Sequence, residues 1–139
     1  MSGVGRLLSA FTRNQASTAP DADDPRLRGR TYAIPFDRVW ELALALADGG
    51  LRRWHVLDAD DQEGVIHAEA HAALFRTIHD VTIRIGLDAD AQTRVDAQAA
   101  ARTTRGDLGA SARRIAAFFR ALDRALARPA TTALRSSRR

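Results

Sequence analysis

The chain has 139 residues, no cysteine and a net charge of +4 at pH 7. This length suits one domain with a modest core. The absence of cysteine excludes disulfides, thiol catalysis and cysteine-ligated zinc sites. No stretch approaches the roughly 18 consecutive apolar residues that a membrane-spanning helix needs.

The positive charge is concentrated at the two ends of the chain. Residues 31–127 contain 12 arginines against 14 acidic residues, whereas residues 128–139 contain four arginines and no acid. A folded nucleic-acid reader places its positive charge on the domain face that meets phosphate. We therefore expect no specific nucleic-acid binding, while the ends leave open loose binding of anions, acidic lipids or nucleic acid.

Composition divides the chain into three segments. We expect a disordered or weakly helical tail and linker over residues 1–29, because residues 14–28 are polar and contain two prolines. A single α+β domain should occupy residues 30–128. A disordered, arginine-rich tail should follow over residues 129–139.

The first residues carry one short apolar pattern. Val4, Leu7, Leu8 and Phe11 recur at helical spacing, which predicts either weak contact of residues 4–11 with a membrane surface or a frayed tail with a chance stripe. The first 30 residues lack the apolar run of a secretory signal. The expected location is therefore cytoplasmic, peripheral to the membrane if the stripe binds it.

The ordered region opens with a strand and a helix. The run "RTYAI" at residues 30–34 predicts a short strand. In the following "FDRVWELALALADGG", Val39, Leu42, Ala43 and Leu46 repeat at helical spacing. The pair of glycines at positions 49 and 50 is typical of a helix C-terminus.

Four alternating runs follow, namely "RWHVLDA", "VIHAEAHA", "HDVTIRIGL" and "QTRVDAQAAAR". Alternation places every second side chain on the same face of a strand. Short turns between the runs predict antiparallel neighbours. In the second run this puts Ile66, Ala68 and Ala70 on one face and His67, Glu69 and His71 on the other.

The last element is a helix from about Leu108 to Ala127, with apolar residues at alternating steps of four and three. Such a stripe must be buried, and the sheet offers the matching face. The predicted fold is an α+β two-layer sandwich. A mainly antiparallel sheet of four to five strands is packed by two helices in the order strand, helix, four strands, helix.

Two groups of residues suggest chemistry. His67 and Glu69 share a strand face roughly 6.6–6.8 Å apart along the chain, so they are weak candidates for binding one divalent ion, and exposed polar positions on a half-buried strand explain them better. His79 and Asp80 are adjacent and therefore point to opposite faces, which disfavours a catalytic relay. We assign no catalytic residue and no cofactor.

The stretch "TTRGDLGASARRI" at residues 103–115 contains an Arg-Gly-Asp triplet. It lacks the lysine of a phosphate-binding loop, and nothing supports a secreted adhesion site. The physical interpretation is a junction between a strand and the last helix. Gly106 turns the chain, and Asp107 accepts backbone N–H bonds as the N-cap residue.

The longer run "VDAQAAARTTRGDLGASARRI", residues 95–115, resembles the signature of the domain of unknown function 1499 family, and "LFRTIHDVTIRI" resembles its upstream strand. The resemblance covers residues 32–126 and implies a fold, but no activity. It also departs from the family pattern, since Gln98, Ala99 and Ala101 replace polar positions. We expect Arg102 to pair with Asp80 or Asp107. The matching polar positions are Asp80, Arg102, Asp107, Arg113 and Arg114.

The opening "YAIPFDRVWELAL" is similar to the entry of START-like helix-grip domains, which hold apolar ligands between a sheet and a C-terminal helix. This similarity leaves two interpretations of four aromatic residues. They line an apolar ligand site, or they close the core of a small domain. The residues are Trp40, Trp54, Phe118 and Phe119.

Together these patterns favour a non-catalytic accessory or binding domain, with a small apolar ligand or a protein as partner. One alternative is a metal-binding protein or enzyme that uses His67, Glu69, His79 and Asp80. The other is binding of anions, acidic lipids or nucleic acid through the arginine-rich tails.

Overall fold

The computed structural model describes residues 15–19, 22, 27–73, 77–102 and 108–128. Within these residues the chain forms six strands, two α-helices and a short π-helical segment, Leu46–Gly50, after the first helix. The strands are β1 (Gln15–Ser17), β2 (Arg30–Tyr32), β3 (Trp54–Asp60), β4 (Val65–His71), β5 (Ile78–Leu87) and β6 (Thr93–Ala101), and the helices are α1 (Phe36–Ala45) and α2 (Leu108–Ala127).

The strands form one antiparallel sheet in which β3, β4, β5 and β6 are consecutive neighbours. The two short strands β1 and β2 both pair with the free edge of β6. Gln15 lies opposite Ala100, and Arg30 lies opposite Val95. The predicted α+β two-layer architecture is confirmed, and the sheet has one strand more than the four or five expected.

Side chains of the central strands alternate between a buried face and an open face. On β5, Val81, Ile83 and Ile85 are buried, whereas Asp80 and Arg84 are exposed. Successive strand residues point to opposite sides, so the exposed polar residues of these strands share one surface. We call this surface the outer face, and on β3, β4 and β5 it carries His55, Asp58, His67, Glu69, His71, Asp80, Thr82 and Arg84.

Both helices cover the buried face of the sheet. α1 buries Val39 and Ala43, and α2 fully buries Ile115, Phe118 and Leu122. These residues recur three or four positions apart, so each helix presents one apolar stripe to the sheet. Neither helix has the length and apolarity that crossing a bilayer would require, and this holds for the described part of the chain.

Three of the four singled-out aromatic residues belong to the core. Trp54, Phe118 and Phe119 are buried, with the ring centroids of Trp54 and Phe118 6.1 Å apart. Trp40 is half-buried and stacks on Phe36 at 5.8 Å. Of the two interpretations of these residues, the packing favours an ordinary core, as expected where a small domain needs its large side chains to fill the interior.

A polar contact ties the short strand β2 to α2. The Tyr32 hydroxyl donates to Asp123 Oδ1 at 2.6 Å, and the Arg30 Nε atom lies 3.4 Å from Asp123 Oδ2. Burial, followed by the hydrogen bond to Asp123, raises the pKa of Tyr32 above its usual range. The Arg30 guanidinium also lies 5.0 Å from the centre of the Phe119 ring, a favourable cation–π distance.

β1 lies within residues 1–29, the segment that the sequence assigned to a tail and linker. Ala16 is fully buried, and the Thr18 amide donates to the Ala97 carbonyl at 2.8 Å. Three residues are too few to display an alternating pattern, whereas the edge of β6 offers backbone groups that a passing segment can pair with. Residues 15–17 therefore form part of the sheet.

The turn after α1 contacts β3, the strand at the other edge of the sheet. Gly49 adopts a φ of +104°, a conformation that glycine allows at low cost, and the predicted helix end at the glycine pair is consistent with it. The Asp48 carboxylate then accepts a hydrogen bond from the Val56 amide at 3.1 Å. This contact occupies an edge amide of β3, next to His55.

The core makes a direct prediction. Phe119→Ala should lower the free energy of unfolding by about 3–5 kcal/mol, because a fully buried ring is replaced by a cavity. Leu57→Ala is the matched control, since Leu57 is 54% exposed and its truncation should cost less than about 0.5 kcal/mol. Urea unfolding of both variants measures the difference, and equal losses would contradict this packing.

Candidate functional site

A row of polar side chains crosses three strands on the outer face of the sheet. In the pairing of β3 with β4, His55 lies directly opposite Glu69. In the pairing of β4 with β5, Glu69 lies directly opposite Asp80. Directly opposed residues have Cβ atoms only about 4.5–5.5 Å apart, so Glu69 is within reach of groups on both sides.

Two histidines converge on one oxygen of Glu69. Glu69 Oε1 lies 3.0 Å from His55 Nε2 and 3.2 Å from His71 Nε2. The two imidazole rings lie beside each other, with centroids 5.2 Å apart. We call His55, Glu69 and His71 the triad, and their three ligand atoms all lie within 4.8 Å of one another.

The second oxygen of Glu69 is held by an arginine. Arg102 Nη2 donates to Glu69 Oε2. Arg102 is itself fixed by Asp80, because its Nε lies 3.1 and 3.0 Å from the two carboxylate oxygens and its Nη2 lies 2.7 Å from Oδ1. A guanidinium held this way presents a fixed donor to a third group, so Asp80 and Arg102 orient the Glu69 carboxylate.

These contacts keep Glu69 ionised. The hydrogen bond from Arg102, followed by the hydrogen bond with His71, holds the pKa of Glu69 below its usual range. The same pairing raises the pKa of Arg102, with Asp80 as the first cause and Glu69 as the second. Glu69 is the least exposed member, at 13%, whereas the side chains of His55 and His71 are 50% and 40% exposed.

The structure groups Glu69 with His55 and His71, and the His67 of the pair expected from the sequence lies outside this group. His67 Nδ1 lies 3.0 Å from Asp58 Oδ2 and is not part of the triad. The reason is the register, which shifts between Val56 and Asp58 and brings Asp58 opposite His67. The sequence pattern placed His55 and Glu69 on two different strands. Their direct cross-strand pairing, however, depends on the register shift between Val56 and Asp58.

The remaining singled-out polar residues lie apart from the triad. His79 is buried on the helix side of the sheet, opposite to Asp80, as strand alternation requires. Arg113 and Arg114 belong to α2, where burial, followed by the charge of Arg113, lowers the pKa of Arg114. Asp107, expected as an N-cap, lies outside the described residues. Of the polar positions that match the family pattern, Asp80 and Arg102 are therefore the pair that the described residues show in contact.

The triad has the donor atoms and spacing of a transition-metal site. Zinc binds histidine nitrogen at about 2.0–2.1 Å and carboxylate oxygen at about 2.0–2.2 Å, so neighbouring ligands of a tetrahedral ion are about 3.3–3.5 Å apart. The two contacts to Glu69 Oε1 are within a few tenths of an ångström of that spacing. All three atoms lie within 4.8 Å of one another, so the two histidine nitrogens would move closer together when all three bind one ion.

Fold and site together define a small antiparallel α+β domain with two helices on one face and a His–Glu–Arg network on the other. A family model described as "Protein of unknown function (DUF1499)" matches residues 9–122. This is most of the chain, and the chain belongs to that family, so the resemblance seen over residues 95–115 is confirmed. The comparison with curated proteins found no significant match.

The network predicts a specific titration. Arg102→Gln should raise the pKa of Glu69, because it removes the strongest contact that favours the ionised form. Carbon NMR of the side-chain carboxyl group across pH measures this change. Arg84→Gln, which removes an exposed arginine from the same face, is the control and should leave the titration unchanged.

The sign of the stability effect follows from the direction of the shift. A carboxyl group whose pKa is lowered in the folded state stabilises the fold above its unfolded-state pKa, and this is lost as pH falls through the folded value. The difference in unfolding free energy between the wild type and Arg102→Gln should therefore shrink in acid. If Glu69 titrates identically in both proteins, Arg102 does not hold its carboxylate.

Proposed function

We propose that this protein is a non-catalytic accessory domain that binds one divalent transition-metal ion through His55, Glu69 and His71. The observation that supports this most directly is the convergence of three ligand atoms from two strands within 4.8 Å. Two imidazoles and one carboxylate suit zinc, cobalt, nickel or copper. Magnesium and calcium prefer sites built from oxygen atoms alone.

The surroundings of Glu69 support this assignment. Ligating carboxylates are usually oriented by hydrogen bonds from outside the coordination sphere, and loss of such partners weakens metal binding. Arg102 occupies the Glu69 oxygen that faces away from the histidines, so the other oxygen stays aligned with their nitrogens. With neutral histidines, Glu69 and Asp80 against Arg102 give the group a net charge of −1, which favours a cation.

Binding is favoured over catalysis because the acids near the triad are already engaged. A general base must be within hydrogen-bond reach of the proton that it removes. Glu69 contacts both histidines and Arg102, and both oxygens of Asp80 accept from Arg102. In this arrangement the oxygens of each carboxylate already contact neighbouring side chains, so neither carboxylate is placed to accept a proton from a substrate.

The two histidines must change their protonation pattern when an ion binds. A carboxylate oxygen only accepts, so a histidine Nε2 that hydrogen-bonds to Glu69 Oε1 carries the proton of that bond. A metal ion needs the lone pairs of these same atoms. The protons must therefore move to Nδ1 or leave, and acid should weaken metal binding.

Zinc titration of matched variants tests the proposal. At about a hundred times its Kd, zinc should raise the free energy of unfolding by about 2.7 kcal/mol, which thermal melts detect. His71→Ala removes a ligand and should weaken zinc binding more than about a hundredfold, beyond the roughly 10–100-fold effect of losing an outer-sphere partner. Competition with a chromophoric chelator measures the affinity.

His67→Ala is the control for this titration. His67 is on the same strand and the same face, two residues from Glu69, but contacts Asp58 instead of the triad. It should leave zinc affinity unchanged. Unchanged stability of the wild type in saturating zinc, or equal losses in His67→Ala and His71→Ala, would rule out the triad as the site.

The location of the protein is a separate proposal, supported by charge. We infer a cytoplasmic protein whose arginine-rich ends contact acidic lipid surfaces, because residues 128–139 carry four arginines and no acid while residues 31–127 are net acidic. Such contacts weaken steeply with salt, since the Debye length falls from about 10 Å at 0.1 M to about 3 Å at 1 M.

Flotation with vesicles of phosphatidylserine and phosphatidylcholine tests this contact. The full chain should bind at low salt and be released at high salt, and a chain truncated after residue 128 should bind less. Equal flotation of the full and truncated chains would eliminate the C-terminal arginines as the membrane contact.

A further inference from the structure

An open cleft adjoins the two histidines of the triad. Its volume is about 560 Å³, and it lies where β3 begins, β4 ends and β5 begins. The first two residues of β3 and the last residue of β4 form part of its wall. The cleft is lined by Arg53, Trp54, His55, His71, Ala72 and Ile78.

We infer that this cleft takes an aliphatic monocarboxylate whose acid group completes the coordination of the ion held by the triad. This inference rests on the proposed metal binding. Three protein ligands leave one position of a tetrahedral ion open, and carboxylate oxygen is a ligand that zinc accepts. Because His55 and His71 belong to both the cleft and the triad, a ligand in the cleft lies next to the ion.

Arg53 gives the cleft its preference for an anion. Its carbonyl accepts a hydrogen bond from the His71 amide at 2.9 Å, which fixes the residue beside the triad, and it is exposed. Its backbone adopts a φ of +67°. A guanidinium binds a carboxylate through two parallel hydrogen bonds, so Arg53 and the ion together favour a single negative group.

The rest of the lining selects the body of the ligand. Ala72 and Ile78 contribute apolar surface beside the buried Trp54, and Ile78 lies directly opposite His71 in the pairing of β4 with β5. A short hydrocarbon chain beside the acid group would remove this surface from water, which is favourable in proportion to the area covered. An inorganic anion would leave it exposed.

Cobalt-loaded full-length protein provides the readout, because the visible spectrum of cobalt changes when a ligand enters its coordination sphere. Hexanoate should change the spectrum at a lower concentration than acetate. Arg53→Gln should weaken the hexanoate effect about tenfold or more, the range expected for losing a hydrogen bond to a charged group, without preventing cobalt binding. Ile78→Ser should reduce the advantage of hexanoate over acetate.

Arg52→Gln is the matched control, because Arg52 is the neighbouring exposed arginine but does not line the cleft. It should leave the hexanoate response unchanged. Cobalt that binds without responding to hexanoate, or an equal response in Arg53→Gln and Arg52→Gln, overturns this inference and leaves metal binding intact. Failure of the protein to bind cobalt overturns both.

Discussion

The register of the hairpin between β3 and β4 decides which side chains meet on the outer face. Gly64 makes this register possible. It has a φ of +71°, its amide donates to Asp60, and its carbonyl accepts from Ile85 at 2.7 Å. A side chain at this position would collide with the Ile85 carbonyl, since its Cβ atom would lie 2.0 Å away. A slip of one residue would move Glu69 to the buried face.

With that register in place, one carboxylate links three strands. Glu69 contacts His55 on β3 and His71 on β4, and Arg102 connects it to Asp80 on β5. Exposed ion pairs contribute little to stability when they are isolated. The contribution of these contacts to the stability of the fold is therefore expected to be small, and the proposed metal binding rests on the geometry of the triad.

Much of this architecture could be predicted because strand alternation and helical spacing are properties of neighbouring residues. The outer-face position of Glu69, the opposite placement of His79 and Asp80, and the bounds of α2 all follow from such local patterns. The triad does not, because His55 reaches Glu69 through a cross-strand pairing that a register shift modifies. β1 could not be predicted for a similar reason. Its three residues are too few to show an alternating pattern, and they form a strand because they pair with the edge of β6.

The proposed function depends most on whether an ion occupies the triad. An anomalous difference map at the zinc absorption edge, from crystals grown with zinc, tests this directly. We expect a peak within coordination distance of His55 Nε2, His71 Nε2 and Glu69 Oε1, with Arg102 still on the other Glu69 oxygen. No peak at the triad, or a peak between Asp58 and His67 instead, would contradict it.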